Sequence, residues 1–416
     1  MTRIAMLSYH TCPLATLGGK STGGMNVYVR DLTRALGVAG IHVDVFTRSQ
    51  DEHVPHVLHD LGYGNRVVHI PAGPEVPLSR DELVGFVPTF VEGISKFASD
   101  KGINYDIIHS HYWMSGLAAI SLKEVWGIPF IHMFHTLGEM KNKVVKNKDM
   151  KESPNRIDSE NLILKEADQI VAATLSERAQ LDWLYKVDLQ KVIVIPPGVD
   201  ISHFYPIPVD EAREFIGVNL EDKMVLFVGR IEPLKGIDTL ISAMSCLNFM
   251  EALDYKPVTL TIIGGDPDVN PEFMTTEMAR LQEMSNNLGM KNLVIFLGKR
   301  SQDTLPYYYS AADVVVMPSH YESFGLEALE AMACSTPVIA SHVGGLTHLV
   351  QDGITGFHIP NDDPQELCEK LKLLVSDDEM RMKLGRQAEQ YAKEYSWEMI
   401  VGQMKTAYAN LIRNKL

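Results

Sequence analysis

The stretch His320-Tyr-Glu-Ser-Phe-Gly-Leu-Glu-Ala-Leu-Glu-Ala-Met-Ala-Cys-Ser-Thr-Pro337 decides how the chain folds. Just before it, residues 312–318 end in Val-Val-Val-Met-Pro and read as a short strand, apolar on both faces. Just after it, residues 336–340 (Thr-Pro-Val-Ile-Ala) read as another. Between them, residues 326–333 are good helix formers in a helical pattern. Strand, loop, helix and strand make a βαβ unit, and ligands of such units bind beyond the carboxyl ends of the strands. The loop 319–325 occupies that place.

In this loop Glu322 precedes Ser323-Phe324-Gly325, and the helix starts at Leu326. Gly325 permits a tight entry. The unbonded N–H groups of the first turn, together with the helix dipole, suit an anion such as a phosphate. Glu330 follows Glu322 by eight residues, or about 12 Å at helical rise. Two carboxylates so spaced can meet the two ends of an elongated polyhydroxylated ligand. A solvated helix with two surface glutamates is the bland alternative, and the residues alone leave both open.

The strands upstream follow the same plan. Residues 224–228 run into Gly229-Arg230-Ile-Glu-Pro-Leu-Lys235-Gly236. Two cations in a loop directly after a strand suit a nucleotide diphosphate. Strands at 258–263 and 293–297 end in Gly264-Gly265-Asp266 and in Gly298-Lys299-Arg300. Residues 336–340 lead to Gly344-Gly345. Pro196-Pro-Gly-Val-Asp200 breaks the pattern and marks a domain boundary.

The first half opens as strand (3–8), helix (23–39) and strand (41–47), which predicts a Rossmann-like parallel sheet. The Gly-rich loop 17–26 is not a P-loop: Gly19-Lys20-Ser21 would need glycine where Leu14 stands. A dinucleotide fingerprint is also missing, which argues against an oxidoreductase. The loop is expected to be mobile and to open onto a helix start at Gly23-Gly24-Met25-Asn26. Further strands are expected at 67–70, 105–110, 129–132, 169–172 and 191–195. Ser79 and Glu82 form a capping box around Arg80. Strand ends at His109-Ser-His111-Tyr112 and His135-Thr136 face one rim. With Arg80, Arg156 and nearby Lys141, Tyr112 and Thr136 would make a basic, hydroxyl-rich pocket for a phosphorylated molecule. Half-buried structural histidines are the alternative for His111 and His135. Residues 397–411 carry a helical apolar stripe: Trp397, Ile400, Met404, Tyr408 and Leu411.

The bulk numbers agree with this picture. The chain has 416 residues, 45% of them apolar, enough for two or three domains. Its net charge of −15 argues against nucleic acid as a partner. No apolar run is long enough to span a membrane, and the N-terminus lacks the features of a signal peptide. The four cysteines, Cys12, Cys246, Cys334 and Cys368, lie far apart. They are expected to be free thiols in a reducing cytoplasm.

Glu322-Ser-Phe-Gly-Leu-x-x-x-Glu330 resembles the E-x7-E motif of retaining nucleotide-sugar glycosyltransferases of family 4. Gly23-Gly-Met-Asn-Val-Tyr28, His109-Ser-His-Tyr-Trp113, His135-Thr136 and Gly229–Gly236 extend the resemblance over nearly the whole chain. The fold it implies is α/β of the GT-B type: two Rossmann-like domains with parallel sheets facing across a cleft. These would be an acceptor domain (1–198), a nucleotide-sugar domain (199–395) and a last helix (396–416) returning to the first. Within the family the chain is most similar to the inositol-phosphate N-acetylglucosaminyltransferases of mycothiol synthesis, and next to bacterial sucrose-phosphate synthases. One departure is Arg80, where the former carry lysine.

By resemblance, Glu322, His135, Arg230 and Lys235 would be catalytic. The UDP-sugar would be held by Gly24, Arg230, Lys235, Arg300, Glu322, Ser323, Phe324, Gly325, Leu326 and Glu330. Asn26, Arg80, Tyr112, Thr136 and Arg156 would hold the phosphorylated acceptor. Domain closure near Gly198 would exclude water. No cofactor is expected to be required; a divalent metal is compatible but not essential, and Asp266-Pro-Asp268 is not expected to be its site. A homodimer fits by analogy. The donor hexose, whether glucose, N-acetylglucosamine or mannose, stays open.

Overall fold

The computed structural model describes residues 2–15, 23–145, 151–249, 258–266 and 275–413. Part of the Gly-rich loop (17–22) and Asp268 lie outside these residues. The chain forms two compact units, and the division falls between Gly198 and Val199. Residues from Trp397 onward group with the first unit, whereas Ser396 groups with the second.

The strands of the first unit are β1 (Arg3–Leu7), β2 (His42–Arg48), β3 (Val57–Leu58), β4 (Arg66–Ile70), β5 (Ile107–His111), β6 (Phe130–Met133), β7 (Gln169–Ala172) and β8 (Val192–Val194). Their order is β3-β4-β2-β1-β5-β6-β7-β8. The short edge strand β3 is antiparallel to β4, and the other pairs are parallel. The second unit contains β9 (Lys223–Val228), β10 (Val258–Ile263), β11 (Val294–Gly298), β12 (Val314–Met317), β13 (Val338–Ser341) and β14 (Gly356–Ile359). They are parallel throughout, in the order β11-β10-β9-β12-β13-β14. Central strands such as β9 and β12 are nearly continuous apolar runs, buried throughout except for Lys223 at the start of β9. Helices cover both of their faces, so no polar alternation is required. Each sheet has its own hydrophobic core.

Both strand orders reverse once, between β1 and β5 and between β9 and β12. At such a switch point neighbouring crossovers leave toward opposite faces, and a crevice opens beyond the strand ends.

The helix Trp397–Arg413 is part of the first unit although it follows the second in sequence. Its buried stripe includes Trp397, Ile400, Met404 and Tyr408. Four such side chains contribute about 2 kcal/mol each as an upper estimate. The stripe packs on the helix Gly24–Val38. Tyr408 Oη lies 2.7 Å from His109 Nδ1, and Trp397 meets Tyr28 edge-on at 5.6 Å. A Cβ on Gly198 would fall 2.6 Å from the Trp397 ring, so a glycine seats the indole.

One expectation needs correction. Cys246 and Cys368 are joined as a disulfide, Cα–Cα 6.2 Å, leaving Cys12 and Cys334 free. The pair is 122 residues apart. It meets because the helices Ile237–Phe249 and Pro364–Ser376 pack side by side, a proximity that residue spacing does not carry.

Candidate active site

In the second unit the two loops at the switch point carry most of the residues expected to bind a donor. The loop after β9 leaves through Gly229, φ +155°, and makes a short turn at Pro233–Lys235. Gly236, φ +63°, then starts the next helix; a Cβ there would lie 2.1 Å from the Pro318 carbonyl. This close approach of the loops after β9 and β12 is tied by His320 N donating to Leu234 O at 2.8 Å.

Lys235 is 8% exposed. Its Nζ lies 2.6 Å from Glu322 Oε2 and 3.8 Å from Glu327 Oε1. Burial alone would lower its pKa. The Glu322 and Glu327 carboxylates outweigh that and raise it above the usual lysine value, so the ammonium is firmly charged. Arg230 is half-exposed, with Nη1 2.7 Å from Glu232 Oε1.

Gly325, φ +102°, is the N-cap of the helix Leu326–Ala333. The backbone of residues 322–324 is clamped from outside. Gly345 N donates to Glu322 O at 2.9 Å, and a Cβ on Gly344 (φ +49°) would sit 1.9 Å from that oxygen. Phe324 is buried and lies 6.0 Å from the Tyr395 ring. The Ser323 hydroxyl donates to Tyr321 Oη at 3.3 Å. Glu330 is only 5% exposed and accepts from Tyr309 Oη at 2.8 Å. The solvated-helix alternative is thereby removed for Glu330. Arg300 is held by the Leu297 and Lys299 carbonyls and by Tyr308 Oη.

The first unit gathers a second group at its own switch point. Tyr112 follows β5 and is the N-cap of the helix Trp113–Trp126 with φ +72°, and His135 follows β6 with φ +61°. Two non-glycine residues in the left-handed region at adjacent strand ends mark strained backbone. Arg156, 1% exposed, is the hub: its Nη1 donates to Tyr112 Oη at 3.3 Å, and its Nη2 to the Thr136 carbonyl and hydroxyl at 2.8 and 3.1 Å. Its Nε pairs with Glu160 and its Nη1 with Glu152, both at 2.8 Å. Lys141 lies 2.8 Å from Glu152. The Arg156 guanidinium lies 5.0 Å and the Arg80 guanidinium 5.9 Å from the Tyr112 ring centre. Arg80 is exposed and makes no ion pair among the described residues.

The histidines form a clustered, neutral set: His109, His111 and His132 are buried, and His10 and His135 are half-buried. His135 Nε2 is 3.0 Å from His111 Nδ1, and both rings meet Tyr28 edge-on. Burial pushes His135 down to about 3. Burial, with neighbouring charge, does the same for His10 and His109 and places His111 and His132 well below the usual value.

Two more of the expected residues lie at the start of the helix Gly24–Val38. The Asn26 amide is used within the loop: it accepts from Gly23 N and donates to Thr11 Oγ1 and the Cys12 carbonyl. Gly24 is exposed at the first turn of its helix. Conversely, Glu327, Tyr309, Glu152 and Glu160 were not singled out. Glu152 and Glu160 stand four residues either side of Arg156, a spacing that was readable. Tyr309 sits in an apolar helix and gives no signal.

Comparison with known proteins fits this geometry. Residues 208–391 match the model described as Glycosyl transferases group 1, and residues 22–203 that of Glycosyltransferase Family 4. D-inositol 3-phosphate glycosyltransferase of Corynebacterium urealyticum is 38% identical over 98% of this chain and 96% of its own. The chain is a family 4 glycosyltransferase. The namesake from Actinosynnema mirum is 37% identical over 98% of this chain and 97% of its own. Among solved family members, sucrose-phosphate synthase of Thermosynechococcus elongatus superimposes with a TM-score of 0.90 at 34% identity, covering both chains fully. Anabaena HepE, solved with UDP and glucose, shares the fold at a TM-score of 0.76 and 19% identity, covering 99% of this chain and all of its own. The architecture is therefore GT-B. No helix among the described residues is long and apolar enough to cross a membrane.

Proposed function

We propose that this glycosyltransferase moves a hexosyl group from a UDP-sugar to a small phosphorylated acceptor of the inositol-phosphate class, retaining configuration at the anomeric carbon. The observation that carries the donor half is the Lys235–Glu322 ion pair at the β9/β12 switch point. It brings a fixed positive charge next to a carboxylate at the end of an anion-binding helix. The acceptor half rests on Arg80, Tyr112, Thr136 and Arg156 and on the name shared by the full-length relatives.

In this reading Arg230, Lys235 and the first-turn N–H groups of Leu326–Ala333 neutralise the diphosphate, most strongly as the bond to the sugar breaks. Glu330, held by Tyr309, accepts from the ribose hydroxyls, and Arg300 lies near the uracil. Glu322, with the backbone of Ser323, Phe324, Gly325 and Leu326, holds the sugar and stabilises positive charge on it. His135, neutral, serves a sugar hydroxyl as a hydrogen-bond partner. The anomeric carbon–phosphate oxygen bond breaks, the acceptor oxygen bonds to that carbon on the same face, and the acceptor proton passes to the departing phosphate oxygen. Arg80 with the Tyr112 and Thr136 hydroxyls receives the acceptor phosphate. Arg156 orients both hydroxyls from behind. No resident cofactor is needed; a divalent ion is compatible but not essential.

A second reading, glucosyl transfer to fructose 6-phosphate, is favoured by the TM-score of 0.90 with sucrose-phosphate synthase. UDP release from a panel of UDP-sugars, with inositol phosphate or fructose 6-phosphate, separates the two. Equal turnover with unphosphorylated acceptors contradicts both.

A further inference from the structure

At the amino-terminal end of the first sheet, opposite that sheet's own switch point, lies a cavity of about 440 Å³. That is within the usual size of small-molecule sites. Its walls start the strands: Arg3 opens β1, His42 opens β2 and Arg66 opens β4, and Lys101 closes the helix Val87–Lys101. Arg3 and His42 are partners in strand register, as are Asp44 and Arg66. Since β1 has five residues, the cavity and the loop after Leu7 are about 13 Å apart along the strand.

The wall is fixed on one side and unpaired on the other. Arg66 grips Asp44 with two hydrogen bonds, 2.7 and 2.8 Å, and its guanidinium lies 5.4 Å from the Phe97 ring centre. Tyr105 donates to the same carboxylate at 2.6 Å and stacks on Trp126. Asp44 is thus consumed by Arg66 and Tyr105. The remaining cations have no such partner: among the described residues the side chains of Arg3 and Lys101 make no hydrogen bond or ion pair. Asp106 approaches Arg3 only through the Arg3 backbone N–H, at 2.8 Å. His42 and His59 complete the wall. In a chain of net charge −15, a concave site with unpaired arginine and lysine over a braced Arg–Asp–Tyr floor concentrates positive potential against the overall field.

We propose that this cavity is a second ligand site, separate from the glycosyl-transfer machinery, that binds a small soluble phosphorylated molecule. Arg3 and Lys101 take the phosphate oxygens, and the rigid Asp44–Arg66–Tyr105 floor shapes the cavity beneath.

Calorimetric titration of inorganic pyrophosphate into the UDP-saturated protein tests this, in wild type, Arg3→Glu/Lys101→Glu and Arg80→Ala. Arg3 and Lys101 are exposed, so the double variant should keep the wild-type melting temperature without ligand. The proposal predicts pyrophosphate binding weakened at least about tenfold in the double variant, with transfer kcat/KM within about twofold of wild type and binding retained in Arg80→Ala. Pyrophosphate affinity unchanged in the double variant, or lost only in Arg80→Ala, or absent from wild type at millimolar concentration, overturns it. The comparison does not depend on the acceptor's identity, so failure here leaves the transfer reading untouched.

Discussion

Replacing Lys235 with alanine tests the donor site on two independent scales. The ammonium lies 2.6 Å from Glu322 and 3.8 Å from Glu327, and the Lys235 and Glu322 side chains are 10% and 16% exposed. Its removal leaves two carboxylates without their counter-charge in a nearly dry place. Breaking one side of a buried pair costs about 3–5 kcal/mol, and residual water access puts this case near 3. For a unit of roughly 200 residues that lowers the melting temperature by about 6–12 °C. Glu322→Gln in the same background removes part of the stranded charge, so the double variant should be more stable than the sum of the singles by about 1–2 kcal/mol. On the kinetic scale, loss of one preorganised charge at a departing diphosphate lowers kcat about 10²–10³-fold. Differential scanning fluorimetry of the four proteins and initial rates of UDP release read both effects. Strict additivity in the stability cycle, or kcat within about threefold of wild type in folded Lys235→Ala, refutes the reasoning.

Other substitutions read different parts of the account. Glu330→Ala should raise KM for the UDP-sugar about 10–100-fold with kcat less affected, because a ribose contact is made equally in ground and transition states; an unchanged KM contradicts the ribose role. Gly344→Ala puts a methyl 1.9 Å from the Glu322 carbonyl at φ +49°. It should abolish transfer while the first unit's stability stays normal, and full activity in that variant would show that the clamp does not position Glu322. The pH dependence of stability follows from the clustered, desolvated histidines of the first unit. An unfolded histidine protonates near 6.5, whereas His10, His109 and His135 do so near 3 and His111 and His132 well below the usual value. The unfolded state therefore binds more protons below 6.5, and stability present above that pH is lost as the pH falls. The upper limit is about 1.4 kcal/mol per histidine per pH unit. Glu177, raised by burial to about 7, opposes this with one proton. A melting temperature flat between pH 7.5 and 5.5 contradicts the neutral histidine set.

The second unit was the more legible half. Its apolar strands, Gly-Gly turns and Arg230/Lys235 loop announce themselves locally, because strands covered on both faces need no polar alternation. The helix read from the sequence at 326–333 is the observed helix Leu326–Ala333. The edge strands β3 and β14 were not anticipated; β3 has only two residues and β14 is half-exposed, so neither leaves a clear periodic signal. Long-range partnerships were hidden for a different reason. Lys235–Glu322, Tyr309–Glu330 and Cys246–Cys368 join residues 87, 21 and 122 positions apart. Local patterning carries the elements but not which side chains the packed crossovers bring together. The role of Asn26 as a loop tie was invisible for the same reason: its partners Thr11 and Cys12 come from the loop after β1.

The central claim is that transfer from a UDP-sugar depends on a phosphate carried by the acceptor. The most direct measurement is UDP release by the purified chain, for each of UDP-glucose, UDP-N-acetylglucosamine and UDP-mannose, with D-inositol 3-phosphate and with unphosphorylated inositol. The account predicts that one UDP-sugar turns over with D-inositol 3-phosphate, that free inositol supports little or none, and that Arg80→Ala loses the distinction. Equal release with both acceptors, or none from any UDP-sugar, would contradict it.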